Sequence, residues 1–533
     1  MPTLDQSSES SELRVEVSSA PATNVADKKP SDDLLKFSKR SSHFLGGTIC
    51  LFLLGFISFP ILARIFSVEE YGLISLVSNT IAVAVVFSKF GLQASVQRFY
   101  KEQAVHPEPG ALRKYYSTVY LGAAANGFVV SLLFLALVWL VPASYMGTRV
   151  RIIFSVAAGL ILLRSISSMI TNLLQVEGRT FAWNVLQIVT KAATIVMTLG
   201  LLLLWNRTPV AFFIGMVIVE ATAVLFVIPY LRRRDMLSLS VFNKKIFREI
   251  MIYGLPMMAA EIFYIILDTG DRFLVEGFLG AKPLGLYAAA YNISGYVRDS
   301  LSSPLQLALF PMVMEIWVLK GSEKTKEFLS RTMNYFVLAG IAVVALASAC
   351  SSDVINLIAS PKFHEAHHLL PYILIGMLAN AVAMFLKSGL LIHKKTYLMM
   401  KVIMASCVVN IVMNVILLPR IGLLGAAIAT LGSYVFSTSL FAWHSRKYLP
   451  LQTNWSAWFR YAVVGCFTWY LSSHLEIHSL LLSLAVRATI CLFVYAAILW
   501  LIDTDIRTMT SEIIGLAKAW LQQRQLRRNA AVV

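Results

Sequence analysis

The stretch Met251–Tyr291, MIYGLPMMAAEIFYIILDTGDRFLVEGFLGAKPLGLYAAAY, decides the fold. It opens with about 25 mostly apolar residues, enough to cross a bilayer with some tilt. Among them are Glu261, Asp268, Asp271 and Arg272. Ionisable side chains inside a lipid span are costly unless they face a cavity or a partner, so they are candidates for function. A short polar turn, Gly280-Ala-Lys-Pro-Leu-Gly285, is expected next, followed by a second apolar run. Far upstream, Phe66-Ser-Val-Glu-Glu-Tyr-Gly-Leu73 holds the same place between two apolar runs as Leu279-Gly-Ala-Lys-Pro-Leu-Gly-Leu286.

Composition agrees. The 533 residues are 57% hydrophobic and 14% charged, with a mean hydropathy of +0.70. A soluble chain carries about 25% charged residues, so this is a polytopic membrane protein. The net charge of +17 does not indicate nucleic acid, because the positive residues sit in short loops between apolar runs, as the positive-inside rule requires. Cys50, Cys350, Cys407, Cys466 and Cys491 all fall in apolar spans with no metal spacing, and read as small hydrophobes. No cofactor motif is present.

Spans are expected at 42–64, 71–95, 115–140, 151–174, 181–205, 209–231, 250–275, 284–312, 332–350, 367–392, 397–418, 422–444, 456–473 and 480–502, about fourteen in all. Their length makes them helices rather than barrel strands. An even count puts both termini on one side, and the Lys and Arg residues fall overwhelmingly on that side, which is therefore cytoplasmic. The main clusters are Arg232-Arg233-Arg234 with Lys244, Lys245 and Arg248, then Lys320 to Arg331, then Lys394-Lys395. The division is a disordered N-terminus (1–40), a first lobe (41–235), a basic linker (236–249), a second lobe (250–447), two further spans (455–503) and a basic tail (504–533) that could form an amphipathic interfacial helix. One outer loop carries His364, Glu365, His367 and His368, in an order that fits no zinc motif.

The likeness between halves recurs. Leu174-Gln-Val-Glu-Gly-Arg-Thr-Phe181 parallels Leu391-Ile-His-Lys-Lys-Thr-Tyr397, at nearly the same offset of roughly 215 residues. Six spans per copy is even, so both copies insert with one orientation. Parallel repeats of this kind are related by an axis along the membrane normal, with the substrate site between them.

Asn410-Ile-Val-Met-Asn414-Val-Ile-Leu-Leu-Pro419-Arg-Ile-Gly422-Leu-Leu-Gly425-Ala-Ala-Ile-Ala-Thr430 resembles the Asn…Pro-x-x-Gly-x-x-Gly-Ala-Ala-x-Ala-Thr segment of the polysaccharide transporter family. These are the Wzx-type O-antigen and exopolysaccharide flippases of the multidrug/oligosaccharidyl-lipid/polysaccharide exporter superfamily. Two other segments are similar to that family: Tyr71-Gly72 with Phe90-Gly91-Leu92 and Arg98-Phe-Tyr100, and Asp271-Arg272-Phe-Leu with Phe278-Leu-Gly280 and Leu284-Gly-Leu-Tyr287. Within this motif Pro419 and Gly422 are expected to form a tight outer turn and Gly425-Ala-Ala-Ile-Ala to allow close helix approach, structural roles rather than ligand contacts.

The resemblance implies a substrate, an oligosaccharide on a polyprenyl pyrophosphate, carried from the inner to the outer leaflet of a bacterial inner membrane. Its pyrophosphate needs cations to offset desolvation. Arg298, Arg164 and Lys191 are expected to contact it near mid-membrane, with Lys89 and Lys387 at a cytoplasmic entry; snorkelling to headgroups is the alternative for the last two. Arg298 and Asp299 are helix neighbours and are not expected to pair. Glu261, Asp268 and Asp271 share one helix face with Arg272 adjacent. They are expected to couple transport to H+ or Na+, unless they are structural carboxylates paired with Arg272. Tyr287, Tyr291 and Tyr296 read as packing residues before sugar-stacking ones. The competing functions are a drug or cation antiporter, a peptidoglycan-precursor flippase and a membrane glycan polymerase. The last is disfavoured because its catalysis needs a larger outer loop than any here. The expected form is a monomer, with polysaccharide polymerase or export proteins as possible neighbours and no enzymatic role.

Overall fold

The computed structural model describes residues 30–105, 110–142, 144–233, 236–475, 479–504 and 506–507. The tail expected to form an interfacial helix lies almost wholly outside them, as does most of the N-terminal segment. Among the described residues the chain is helical and contains no strand. In order the helices are α1 (Pro30–Ile65), α2 (Val68–Lys89), α3 (Leu92–Val105), α4 (Ala111–Leu140), α5 (Thr148–Val176), α6 (Thr180–Leu204), α7 (Pro209–Arg233), α8 (Lys244–Leu279), α9 (Ala281–Ala349), α10 (Ser351–Ile358), α11 (Leu370–Leu386), α12 (Ser388–Ile392), α13 (Thr396–Ile421), α14 (Leu423–Ser445), α15 (Trp455–Ser473) and α16 (Leu480–Ile502). Among the described residues eleven helices are long and apolar enough to cross a membrane, with a shorter apolar helix at Ile49–Ile65. Every segment expected to span falls largely in helix.

Several boundaries differ from expectation. The turn expected over Gly280–Gly285 shrinks to Gly280 alone (φ 88°), and Lys282 and Pro283 enter the first turn of α9. Proline is tolerated there because first-turn N–H groups have no helical partner. The loop expected between the eighth and ninth spans is absent, since α9 runs on and breaks only at Gly321 (φ 78°). That segment holds good helix formers and no proline. The single span expected at 71–95 is split by left-handed Phe90 and Gly91. Pro419 lies inside α13, and Gly422 alone makes the following turn. α1 begins at Pro30, inside the segment expected to be unstructured.

The duplication is visible in local geometry and in packing. The turn after α5 closes with Gly178 N–H to Gln175 O (3.0 Å) and Arg179 N–H to Leu174 O (2.9 Å). The turn before α13 closes the same way, Lys394 N–H to Leu391 O (3.1 Å) and Lys395 N–H to Leu390 O (2.8 Å). Gly178 and Lys394 both take positive φ, as do Gly110 before α4 and Gly321 within α9. α1 packs on α6 as α8 packs on α13; α6 on α7 as α13 on α14; α5 on α7 as α11 on α14. Two like-oriented lobes result, α1–α7 and α8–α14. α15 and α16 lie outside the repeat, against the second arm of α9. Asp353 fixes α16 there by accepting from Ser483 Oγ (2.6 Å) and pairing with Arg487 (3.3 Å). We call the end of the bundle bearing the Arg232, Lys244 and Lys324 clusters the basic end, and the opposite one the far end.

Candidate functional site

The lobes meet along α2 and α9, with α3 and α2 against α8. At the far end the two copies of the repeat motif touch each other. A Cβ on Gly72 would collide with the Ala281 carbonyl oxygen, and one on Gly285 with that of Val68. Each glycine thus allows its own helix to meet the backbone of the other lobe. Arg64, at the end of α1, donates to Leu357 O (Nη2, 2.6 Å) and Ile358 O (Nη1, 3.4 Å) at the C-terminus of α10, where a cation complements the helix dipole. Lys362 donates in return to Arg64 O (3.2 Å) and Phe66 O, and Phe363 stacks edge-on to Tyr71 at 5.6 Å.

The basic end is also bridged. Lys89 Nζ on α2 contacts Glu261 Oε1 on α8 at 2.6 Å and Gln93 Oε1 at 3.3 Å. Gly91 and Gly254 bring two backbones together, since a Cβ on Gly254 would lie 2.6 Å from Phe90 O. Ser95 Oγ donates to Ile250 O (2.9 Å). Glu261 is therefore not grouped with Asp268 and Asp271 in space. Seven residues separate it from Asp268, about 10 Å along the helix, and its partner belongs to the other lobe.

Asp268 and Asp271 form a nest with four hydroxyls. Tyr287 donates to Asp271 Oδ2, as does Thr430 Oγ1 at 3.1 Å. Tyr291 and Tyr434 donate to Asp268 Oδ1 at 3.1 and 3.2 Å. Arg272 lies on the Tyr291 ring (4.2 Å to its centre), donates to Asp268 O (3.1 Å) and approaches Asp271 Oδ1 to 3.8 Å. Asp271 is 1% exposed, and its Oδ1 has no hydrogen-bond partner among the described residues. Below it, Asn410 Nδ2 donates to Ser433 Oγ (3.1 Å) and Asn414 Nδ2 to Asn410 O (2.9 Å). Thr430, at the end of the Asn410–Thr430 motif, donates to the Asp271 carboxylate. Tyr287 and Tyr291 serve as hydrogen-bond donors beyond packing. A helical stagger in the sequence could have signalled this, because both tyrosines lie four apart on one face of α9.

Arg298 is 3.7 Å from Asp268 and donates from Nε to Asp299 Oδ1 at 2.9 Å. The expectation that these neighbours do not pair is overturned: the long guanidinium stem folds back along the helix surface. In the first lobe, Arg164 on α5 sits 3.9 Å from Glu220 on α7, which also accepts from Ser167 Oγ (3.0 Å). Arg164 follows buried Ala157 and Leu160 by seven and four residues, so it points inward. Lys191 on α6 lies seven residues from both buried Asn184 and buried Thr198. The lipid-facing stripe of that helix, Phe181, Val185, Val189 and Val196, is on another side. Lys191 is nonetheless exposed, is within electrostatic range of Arg164, and has no acidic partner among the described residues. Lys387, in the turn between α11 and α12 at the basic end, is not brought near the others by any contact. Among the described residues no cluster of His, Cys, Asp and Glu is placed to hold a metal ion.

Set against known proteins, the chain is 22% identical over 427 residues to an uncharacterized membrane protein of Methanocaldococcus jannaschii, covering 75% of this chain and 82% of that one. It is 22% identical over 230 residues to a Shigella flexneri protein named as an O-antigen transporter, covering 43% of this chain and 54% of that one. Among solved structures, the lipid II flippase MurJ in an inward closed conformation superposes with a TM-score of 0.70 at 13% identity, covering 87% of this chain and 99% of that one. The likeness is one of fold. The model of the polysaccharide biosynthesis protein family matches residues 39–317, more than half of the chain. With its two like-oriented helical lobes and its polar seam between them, the chain belongs to that family, as the Tyr71-Gly72 and Asp271-Arg272 segments had indicated.

Proposed function

We propose that this multi-pass membrane protein is a flippase for an oligosaccharide carried on a polyprenyl pyrophosphate, moving it from the cytoplasmic to the outer leaflet. The observation that carries the reading is Lys191: an exposed cation on the same side of α6 as buried Asn184 and Thr198, without an acidic partner among the described residues. A lone ammonium at that depth is costly unless water or an anion meets it. A pyrophosphate is such an anion. Arg298 would face it from the other lobe while screened by Asp268 and Asp299. The basic end is cytoplasmic in this reading, with Lys387 and Lys89 near the entry.

The carboxylate nest supports coupling to H+ or Na+. Asp271 Oδ1 is a buried acceptor without a hydrogen-bond donor among the described residues, and one turn away on the same helix Asp268 contacts Arg298. The same nest favours a second reading, cation-driven export of a drug. A deletion strain separates the two. Lipid-linked repeat units accumulating on the inner face support the flippase. Intact surface glycan with new drug sensitivity supports the antiporter. Loss of viability with accumulated peptidoglycan precursor would assign the chain to that sister pathway instead.

A further inference from the structure

A polar cavity of about 800 Å³ lies away from the seam between the lobes, at the basic end, between the start of the second arm of α9 and the start of α15. Its walls are fixed. Trp458 Nε1 donates to Asn334 Oδ1 (2.8 Å), and the Gln452 N–H donates to Ser330 Oγ (2.9 Å). Arg460 binds Asp503 (2.7 Å), tying α15 to the end of α16. The cavity is therefore held by α9, α15 and the Gln452–Asn454 segment that leads into α15, and its size suits a small polar ligand.

Its lining carries both signs of charge. Lys324 and Glu327 are closed on each other at 2.8 Å. Lys326 and Glu323 stand 3.8 Å apart, beyond hydrogen-bond distance, and neither makes a hydrogen bond among the described residues. Arg331 donates from Nε to Tyr335 OH (2.8 Å), with its guanidinium 5.6 Å from that ring. Just beside the cavity, Trp455 stacks on Trp458 at 5.1 Å, and Trp455 and Phe459 are 60% and 71% exposed. Exposed aromatic residues flanking a span mark the headgroup layer. A ligand that enters here comes from that layer.

We propose that this cavity binds the headgroup of a zwitterionic phospholipid of the phosphoethanolamine type. Lys326 and Arg331 take the phosphate, Glu323 takes the ammonium, and the Tyr335 face adds a cation–π contact. A purely anionic headgroup would meet Glu323 and Glu327 unfavourably, and a choline headgroup would present no N–H to them. The site is independent of what the lobes transport.

The test uses the full chain in nanodiscs of phosphatidylcholine with about one lipid in five replaced, read by native mass spectrometry after delipidation and by thermal unfolding. Phosphatidylethanolamine is expected to remain bound and to raise the melting temperature. Lys326→Gln with Glu323→Gln is expected to lower its retention at least fivefold while the fold, judged by melting in phosphatidylcholine alone, is kept. Equal retention of phosphatidylglycerol overturns the proposal in favour of a plain anion site. Displacement by soluble glycerophosphoethanolamine as effectively as by the lipid overturns the membrane source. Retention unchanged in the double variant overturns the site itself. If that variant fails to fold, Tyr335→Leu read in the same way decides: unchanged retention overturns the proposal.

Discussion

At the residue scale, Asp271 and Lys191 are opposites. Asp271 is enclosed by Tyr287, Thr430 and Arg272; Lys191 is inward yet open. Removing one partner of a buried charged network leaves the others unmet, at about 3 kcal/mol. Asp271→Ala is therefore expected to lower the melting temperature of the purified protein by several degrees, and Thr430→Val by less. A melting curve equal to wild type for Asp271→Ala would show that the nest bears no structural load. Lys191→Gln should leave stability unchanged, because the exposed ammonium has no acidic partner to lose among the described residues, while slowing translocation about tenfold, which corresponds to about 1.4 kcal/mol in the barrier. Thermal unfolding and a transport assay on one preparation measure both. The charged residues themselves were legible in the sequence because charges within apolar runs are conspicuous. Their partners were not: Thr430 is remote from Asp271 in the chain, and whether Arg298 would reach Asp299 depended on how its side chain bends, which spacing does not specify.

At the element scale, the lobes meet along α2 and α9 and are bridged at both ends of the bundle. On the far side the contact is backbone against backbone at Gly72 and Gly285, with Arg64 and Lys362 strapped across. Gly285→Ala should cost about 2 kcal/mol or more, because the obstructing atom is a carbonyl that cannot rotate away. Its check is the unfolding midpoint against that of Gly295→Ala, a site with open space around it. On the basic side the Lys89–Glu261 ion pair joins helices of different lobes, beside the Ser95–Ile250 hydrogen bond and the Gly91–Gly254 backbone approach. Lys89→Glu alone should impair transport by setting two carboxylates face to face, and the swap Lys89→Glu with Glu261→Lys should restore most of it. Failure of the swap to rescue would place the role of Lys89 elsewhere. The sequence revealed the element pattern well because hydropathy marks spans directly and the paired motifs mark the repeat. It misjudged the junctions at Gly280, Gly321 and Phe90, where a single residue's backbone angle decides between a loop and a continued helix.

At the scale of the whole molecule, one scaffold is used twice for different chemistry. The first lobe places Arg164, Lys191 and Glu220 across α5, α6 and α7. The second places carboxylates and tyrosines across α8, α9 and α14. Tandem copies of a helical unit conserve packing, as the matching turns before α6 and α13 do, while the side chains facing the seam diverge freely. In the proposed reading an anion path and a cation site face each other across one interface, and within the second lobe the Asp268–Arg298 contact of 3.7 Å ties the carboxylates to that lobe's own cation. The most direct test is leaflet-resolved translocation of a fluorescent polyprenyl-pyrophosphate oligosaccharide in proteoliposomes containing the purified chain. The account predicts transfer by the wild-type protein, loss with Arg164→Gln and Lys191→Gln combined, and little transfer of the same oligosaccharide on a neutral polyprenol. Equal transfer of charged and neutral carriers, or full activity in the double variant, would contradict it.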